Sequence, residues 1–114
     1  MADSSCNLIV VLITFPSQED AQKIAAVLVD EQLAACVNLL PGVRSLFMWE
    51  GIRQEATEVL AMAKTSVERF ESLVARVKSL HPYTVPEIIG LPIVEGNAAY
   101  LKWVADVVSE SNNY

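Results

Sequence analysis

At 114 residues the chain has the length of one domain spanning 1–114, and a domain of this size hides roughly two thirds of the surface its unfolded chain exposes. Eight Lys and Arg against fourteen Asp and Glu leave a net charge of −6, which repels phosphate backbones and argues against a nucleic-acid partner. Hydrophobic residues make up 53% of the chain, so apolar surface is expected either in strands buried on both faces or in an oligomer contact.

Met1 to Asn7 is polar, and a disordered tail is expected over residues 1–6. The run Leu8 to Phe15 follows no basic residue and is too short to cross a bilayer, so it reads as a central strand buried on both faces. A cytoplasmic protein without membrane contact is the expectation. The two cysteines, Cys6 and Cys36, have no CxxC spacing and are not expected to pair in a reducing compartment. Pro16 ends the strand. Ser17 offers an N-cap hydroxyl with Asp20 three residues on, and Ala21, Ile24, Ala25 and Leu28 recur at helical spacing, predicting a helix to about Glu31.

Ala35 to Trp49 and Arg53 to Thr65 are long extended runs joined by Glu50-Gly51, the chemistry of a β-hairpin turn. Pro41-Gly42 would interrupt the first arm at a bulge or bend. Arms of this length protrude from a small domain, and another subunit is the economical cover for their edges. Thr65 with Glu68 has a capping-box pattern, predicting a second helix with Phe70, Leu73, Val74 and Val77 on its apolar face, stopped near His81 by Pro82. A strand is predicted over Pro86 to Val94. Asn97 then caps a third helix carrying Leu101, Val104, Ala105 and Val108, and the end from Ser109 to Tyr114 is polar and weakly specified. The order is that of an α+β, ferredoxin-like (split βαβ) single domain with a long β-hairpin and an extra C-terminal helix.

Several short motifs resemble the CutA divalent-ion tolerance family: Leu33-Ala34-Ala35-Cys36-Val37-Asn38, Trp49-Glu50-Gly51, Glu58-Val59 with Lys64-Thr65, His81-Pro82-Tyr83 with Pro86-Glu87, and Tyr100-Leu101 with Trp103. The resemblance runs collinearly from about Val10 to Val104. It implies a ferredoxin-like protomer in a tight homotrimer, with the hairpin engaged between subunits and an architecture akin to PII-type signalling proteins. It also implies a part in the response to divalent metals, copper among them.

Thiolate and imidazole favour copper or zinc, which makes Cys36 and His81 candidate metal ligands, with the carboxylates of Glu58 and Glu87 as oxygen donors. The competing reading of Cys36 is a small buried hydrophobe, and that of His81 is a helix-ending residue bonded to the last carbonyls. At Ile13, where some members of the resembled family carry a first-strand cysteine, a soft ligand is missing. Strand alternation puts Glu58 and Lys64 on one face. The resemblance assigns Cys36, Glu58, Lys64, Tyr83 and Glu87 to an intersubunit pocket, where a lysine suits an anionic ligand and carboxylates a cation. Trp49 is a candidate wall for that cleft, or an aromatic packed on a neighbouring subunit, and Lys64 an ion-pair partner across the trimer.

No Gly-rich phosphate loop or GxSxG occurs, and a lone histidine without a partnered nucleophile does not make a triad. An enzyme would have to use Cys36 activated by Lys64 or His81, and Glu55 and Glu58 fall on opposite strand faces. The chain is therefore read as a non-catalytic, trimeric divalent-metal-binding protein with no organic cofactor. The alternative is a PII-like module that binds a small molecule in its intersubunit cleft.

Overall fold

In the computed structural model, which describes residues 7–109, the elements run β1 (Leu8–Phe15), α1 (Gln18–Asp30), β2 (Cys36–Trp49), β3 (Ile52–Ser66), α2 (Val67–Leu80), β4 (Ile88–Pro92) and α3 (Ala98–Val108). The tail expected over residues 1–6, with Cys6, and the polar end at 110–114 lie outside the described residues. All strand pairs are antiparallel, and the sheet order is β2-β3-β1-β4. This is the α+β, ferredoxin-like arrangement, extended by α3.

Local chemistry sets the element ends. Ser17 accepts a hydrogen bond from the Asp20 amide at 3.1 Å and donates to its carboxylate at 3.0 Å, so one side chain serves both partners at the start of α1. The cap of α2 is Ser66, one residue beyond the predicted Thr65. Thr65 still belongs to the ladder opposite Ile9, and its buried hydroxyl donates to the Leu33 carbonyl at 2.7 Å. Ser66 closes the ladder opposite Leu8 and turns its hydroxyl the other way, to accept from an α2 amide, that of Arg69 at 3.3 Å. β4 is shorter than the predicted Pro86 to Val94, because its partner register on β1 runs only from Ile9 to Ile13.

The hairpin is built as its residues demand. Trp49 pairs with Ile52 across Glu50 and Gly51, both at positive φ, the two-residue turn whose twist matches the flanking strands. The β2–β3 register shifts between Leu40 and Val43, so Pro41-Gly42 forms a bulge with Gly42 at φ 79°. The hairpin lengthens the molecule to 49 × 28 × 22 Å.

Two sheet faces have different fates. Ile9, Val11, Ile13 and Phe15 enter the main core with Val59, Ala61 and Ala63 of β3, against Ile24 and Leu28 of α1 and Leu73 and Val77 of α2. On the opposite face Leu8 and Ala35 are covered by Leu101, Val104 and Val108 of α3. Arg69, buried on α2, fastens that helix by donating through Nε to the Val108 carbonyl at 2.7 Å. Beyond α3 the second face is open. Val10 and Leu12 are only half-buried, and their neighbours Ile89 and Leu91, with Leu40 further along the sheet, are 46–49% exposed. The predicted double burial of β1 is therefore complete on one face and partial on the other, since a single short helix cannot span this sheet.

Candidate functional site

Pro82 ends α2, and the chain turns so that the His81 side chain points inward. The imidazole is buried and stacks on Phe15 with centroids 4.9 Å apart. Its Nε2 lies 2.7 Å from the Thr14 carbonyl, and its Nδ1 lies 3.0 Å from the Tyr83 amide. A carbonyl can only accept and an amide can only donate, so Nε2 carries the proton and Nδ1 accepts. Both nitrogens are engaged, and the effect is to pin the loop between two prolines.

That loop presents Tyr83, whose hydroxyl donates to Glu58 Oε2 at 2.8 Å. Burial, and then the hydrogen bond and charge of Glu58, push the Tyr83 pKa up to about 12. Glu58 sits on β3 opposite Val43, directly past the bulge, and is 7% exposed although the strand beyond it is open to solvent. Glu58 and Tyr83 line a cleft of about 930 Å³ between the outer hairpin, including Arg44, Phe47 and Trp49, and the loop that carries Val85 and Glu87. The Arg44 guanidinium is already paired with Glu55 at 2.8 Å. The carboxylates of Glu58 and Glu87 therefore set the charge of the cleft.

A second cluster lies at the inner end of the hairpin. Cys36 and Lys64 are register partners, with Lys64 Nζ 4.0 Å from Cys36 Sγ and hydrogen-bonded to Asn38 Oδ1. Tyr100 reaches this cluster from α3; burial foremost, and then its interaction with Cys36, raise its pKa, and its ring packs on Trp103 at 5.6 Å.

The structure thus divides the expected site set. Glu58, Glu87, Tyr83 and Trp49 share one cleft with His81 behind it, whereas Cys36 and Lys64 form another group. Glu58 and Lys64 share a strand face as alternation predicts, yet six residues at about 3.3 Å each separate them by about 20 Å. Within one protomer the expected single pocket is two places. Asn38 and Tyr100 were named only within motifs, and their part in the Cys36 cluster was missed. For Asn38 the signal was the i, i+2 spacing from Cys36, whereas nothing local announces a contact made by a distant helix.

Within one protomer the expected donors Cys36, His81, Glu58 and Glu87 fall in different groups. Among the described residues, no three His, Cys, Asp or Glu side chains group so as to hold a metal ion. Cys36 has an ammonium as its neighbour, and the His81 lone pair already accepts a backbone hydrogen bond.

Residues 9–107 match the family described as CutA1 divalent ion tolerance protein. The chain belongs to that family. It is 55% identical over 97 residues to the divalent-cation tolerance protein CutA of Thermus thermophilus, covering 85% of this chain and 94% of the relative. It is 46% identical over 106 residues to the protein CutA homolog of Xenopus laevis, covering 93% of this chain and 70% of the relative. The crystal structure of CutA1 from Oryza sativa superposes with a TM-score of 0.90 at 40% identity, over 95% of this chain and 99% of that one. The structure of the periplasmic divalent cation tolerance protein CutA from Archaeoglobus fulgidus gives 0.86 at 40% identity, over 90% and 99%. Against this CutA1 background Ile13 is fully buried in the main core, clustered with residues of α1 and α2.

Proposed function

We propose that this CutA1 family member is a non-catalytic homotrimer serving divalent-cation tolerance, and that it meets the cation through the oxygen donors of its acidic cleft. The tolerance role is supported by the names its relatives carry. The trimer is supported by the open apolar sheet face and by Leu46, Phe47, Met48, Trp49 and Ile52, all exposed at the hairpin end. The observation that carries the cation reading is Glu58, a buried carboxylate opening on a cleft that also holds Glu87. Carboxylates suit hard divalent ions, whereas Cys36 and His81 lie in different groups within one protomer and would need a neighbouring subunit to share a copper or zinc ion. Cys36 is a free thiol, which suits a reducing, cytoplasmic setting.

Calorimetric titration of the chelator-stripped protein with Cu(II), Zn(II) and Mg(II) tests the reading. Saturable binding, weakened about tenfold or more in Glu58→Gln and retained in Cys36→Ala, is expected. Absence of binding by the intact protein would make the tolerance role indirect. The non-catalytic reading expects slow alkylation of Cys36 in a Cys6→Ser background, and rapid alkylation at neutral pH would count against it.

A second reading is favoured by size. A cleft of about 930 Å³ is within the range of small-molecule sites and far exceeds the needs of one ion, which suits a ligand-binding module of the PII-like kind.

A further inference from the structure

We propose that the buried Arg69 takes its counter-ion from Glu110, so that the chain just past α3 straps the end of that helix to α2. The strap is made within one chain and holds in a monomer and in a homotrimer alike.

Arg69 supplies the first part of the argument. It is 8% exposed on α2 and donates through Nε to the Val108 carbonyl at 2.7 Å, while its Nη2 is buried without a hydrogen-bond partner among the described residues. A guanidinium brings five N–H donors and a full charge, and a neutral carbonyl answers one of those donors. The C-terminus of α3, which has no basic residue in its last turn, adds a partial negative charge of about half a unit, less than the guanidinium carries. A buried cation left without an anion is strongly destabilising, and a carboxylate is the partner that matches the guanidinium fork.

Position narrows the choice of carboxylate. Asp106 is paired with Lys102 at 2.8 Å, and Glu31 with Arg76 at 2.9 Å. Glu68 is next to Arg69 on α2, and adjacent helical residues do not face each other. Arg69 also stands beside Ser66, which pairs with Leu8 at the opposite end of β3 from the hairpin turn. At this end α3 already covers the sheet through Leu101, Val104 and Val108, so the surfaces assigned to the trimer, the open sheet face and the hairpin end, lie beyond it.

Reach then selects Glu110. Past Val108 the sequence reads Ser109-Glu110-Ser111-Asn112-Asn113-Tyr114, in which Glu110 is the sole acidic side chain. Two residues span at most about 7 Å, and the Val108 carbonyl already rests on Nε, so the Glu110 carboxylate comes within range of Nη2. The strap fixes the helix that carries Tyr100 to the Cys36 group and closes one end of the sheet face.

A double-mutant cycle tests the strap in the full-length protein, read by urea denaturation at fixed protein concentration. Glu110→Gln is expected to raise the unfolding equilibrium constant about tenfold or more when Arg69 is present, and to change nothing in an Arg69→Met background, where no charge is left to answer. Asp3→Asn, which removes the acidic side chain of the other terminus, is expected to be silent. Solvent exchange of the Arg69 guanidinium protons, followed by NMR, should quicken about tenfold in Glu110→Gln, a readout that needs no folded Arg69 variant. Unchanged stability and unchanged guanidinium exchange in Glu110→Gln would overturn the proposal, as would equal effects of that substitution in both backgrounds. A loss of stability in Asp3→Asn that vanishes in the Arg69→Met background would give the counter-ion to the N-terminal segment and overturn it likewise.

Discussion

Tyr83 donates its hydroxyl proton to Glu58, and its pKa of about 12 lies above the ordinary value of 10.0, so the folded state holds that proton more tightly than the unfolded chain. Stability from this pair is complete below about pH 10 and is lost as pH rises towards 12. A Tyr83→Phe variant should show a flatter stability profile across that window and lack the late phenolate signal in an ultraviolet titration. His81 acts on the same loop from within. A His81→Phe substitution keeps an aromatic ring against Phe15 but leaves the Thr14 carbonyl and the Tyr83 amide without partners. It should cost about 2–4 kcal/mol in urea denaturation at fixed protein concentration. The sequence marked this segment, because two prolines and the chain's lone histidine are visible in it. The direction of the histidine was not visible, since it depends on a carbonyl in β1, far away along the chain.

At the scale of elements, the hairpin and the start of α2 separate local from long-range causes. Glu50-Gly51 was legible as a turn because Gly51 readily takes the positive φ that the second position of a type I′ hairpin turn requires, a demand local to those residues. Gly51→Ala should cost about 1–2 kcal/mol, measured by chemical denaturation, because only glycine adopts φ 78° without strain. The cap of α2 was legible only to within one residue. Thr65 and Ser66 have equivalent chemistry and both pair with β1, and a tertiary contact decides between them: the Thr65 hydroxyl is turned to the Leu33 carbonyl and that of Ser66 to the Arg69 amide. Ser66→Ala should cost about 1 kcal/mol through the helix end. Thr65→Val should cost about 1–3 kcal/mol by leaving the Leu33 carbonyl unpaired. Equal effects of both on helix content would argue against this division of roles.

The whole molecule carries an apolar sheet face that α3 covers at one end only, and a hairpin whose end bears exposed large hydrophobic residues. These two surfaces account for the apolar excess of the composition without enlarging the core. A homotrimer predicts a sedimenting mass about three times the 12.5 kDa chain. Leu91→Glu lies on the open face and away from the main core, so it should dissociate that assembly while the monomer keeps its far-ultraviolet dichroism. A wild-type monomer at micromolar concentration would refute the trimer, and the open face would then need another partner.

Periodicity, capping side chains, prolines and positive-φ glycines are properties of a few neighbouring residues, and they were enough to give the element order, the hairpin, the bulge and the apolar stripes of the helices. Which side chains meet across elements depends on strand register, on the one-residue offset at Pro41-Gly42 and on the docking of α3, none of which any local window contains. The fold therefore decided that Glu58 is buried against Tyr83, that Cys36 keeps company with Lys64 and Tyr100, and that the nitrogens of His81 are directed to backbone. Strand alternation could put Glu58 and Lys64 on one face, but only packed neighbours in three dimensions could give them different surroundings within one protomer.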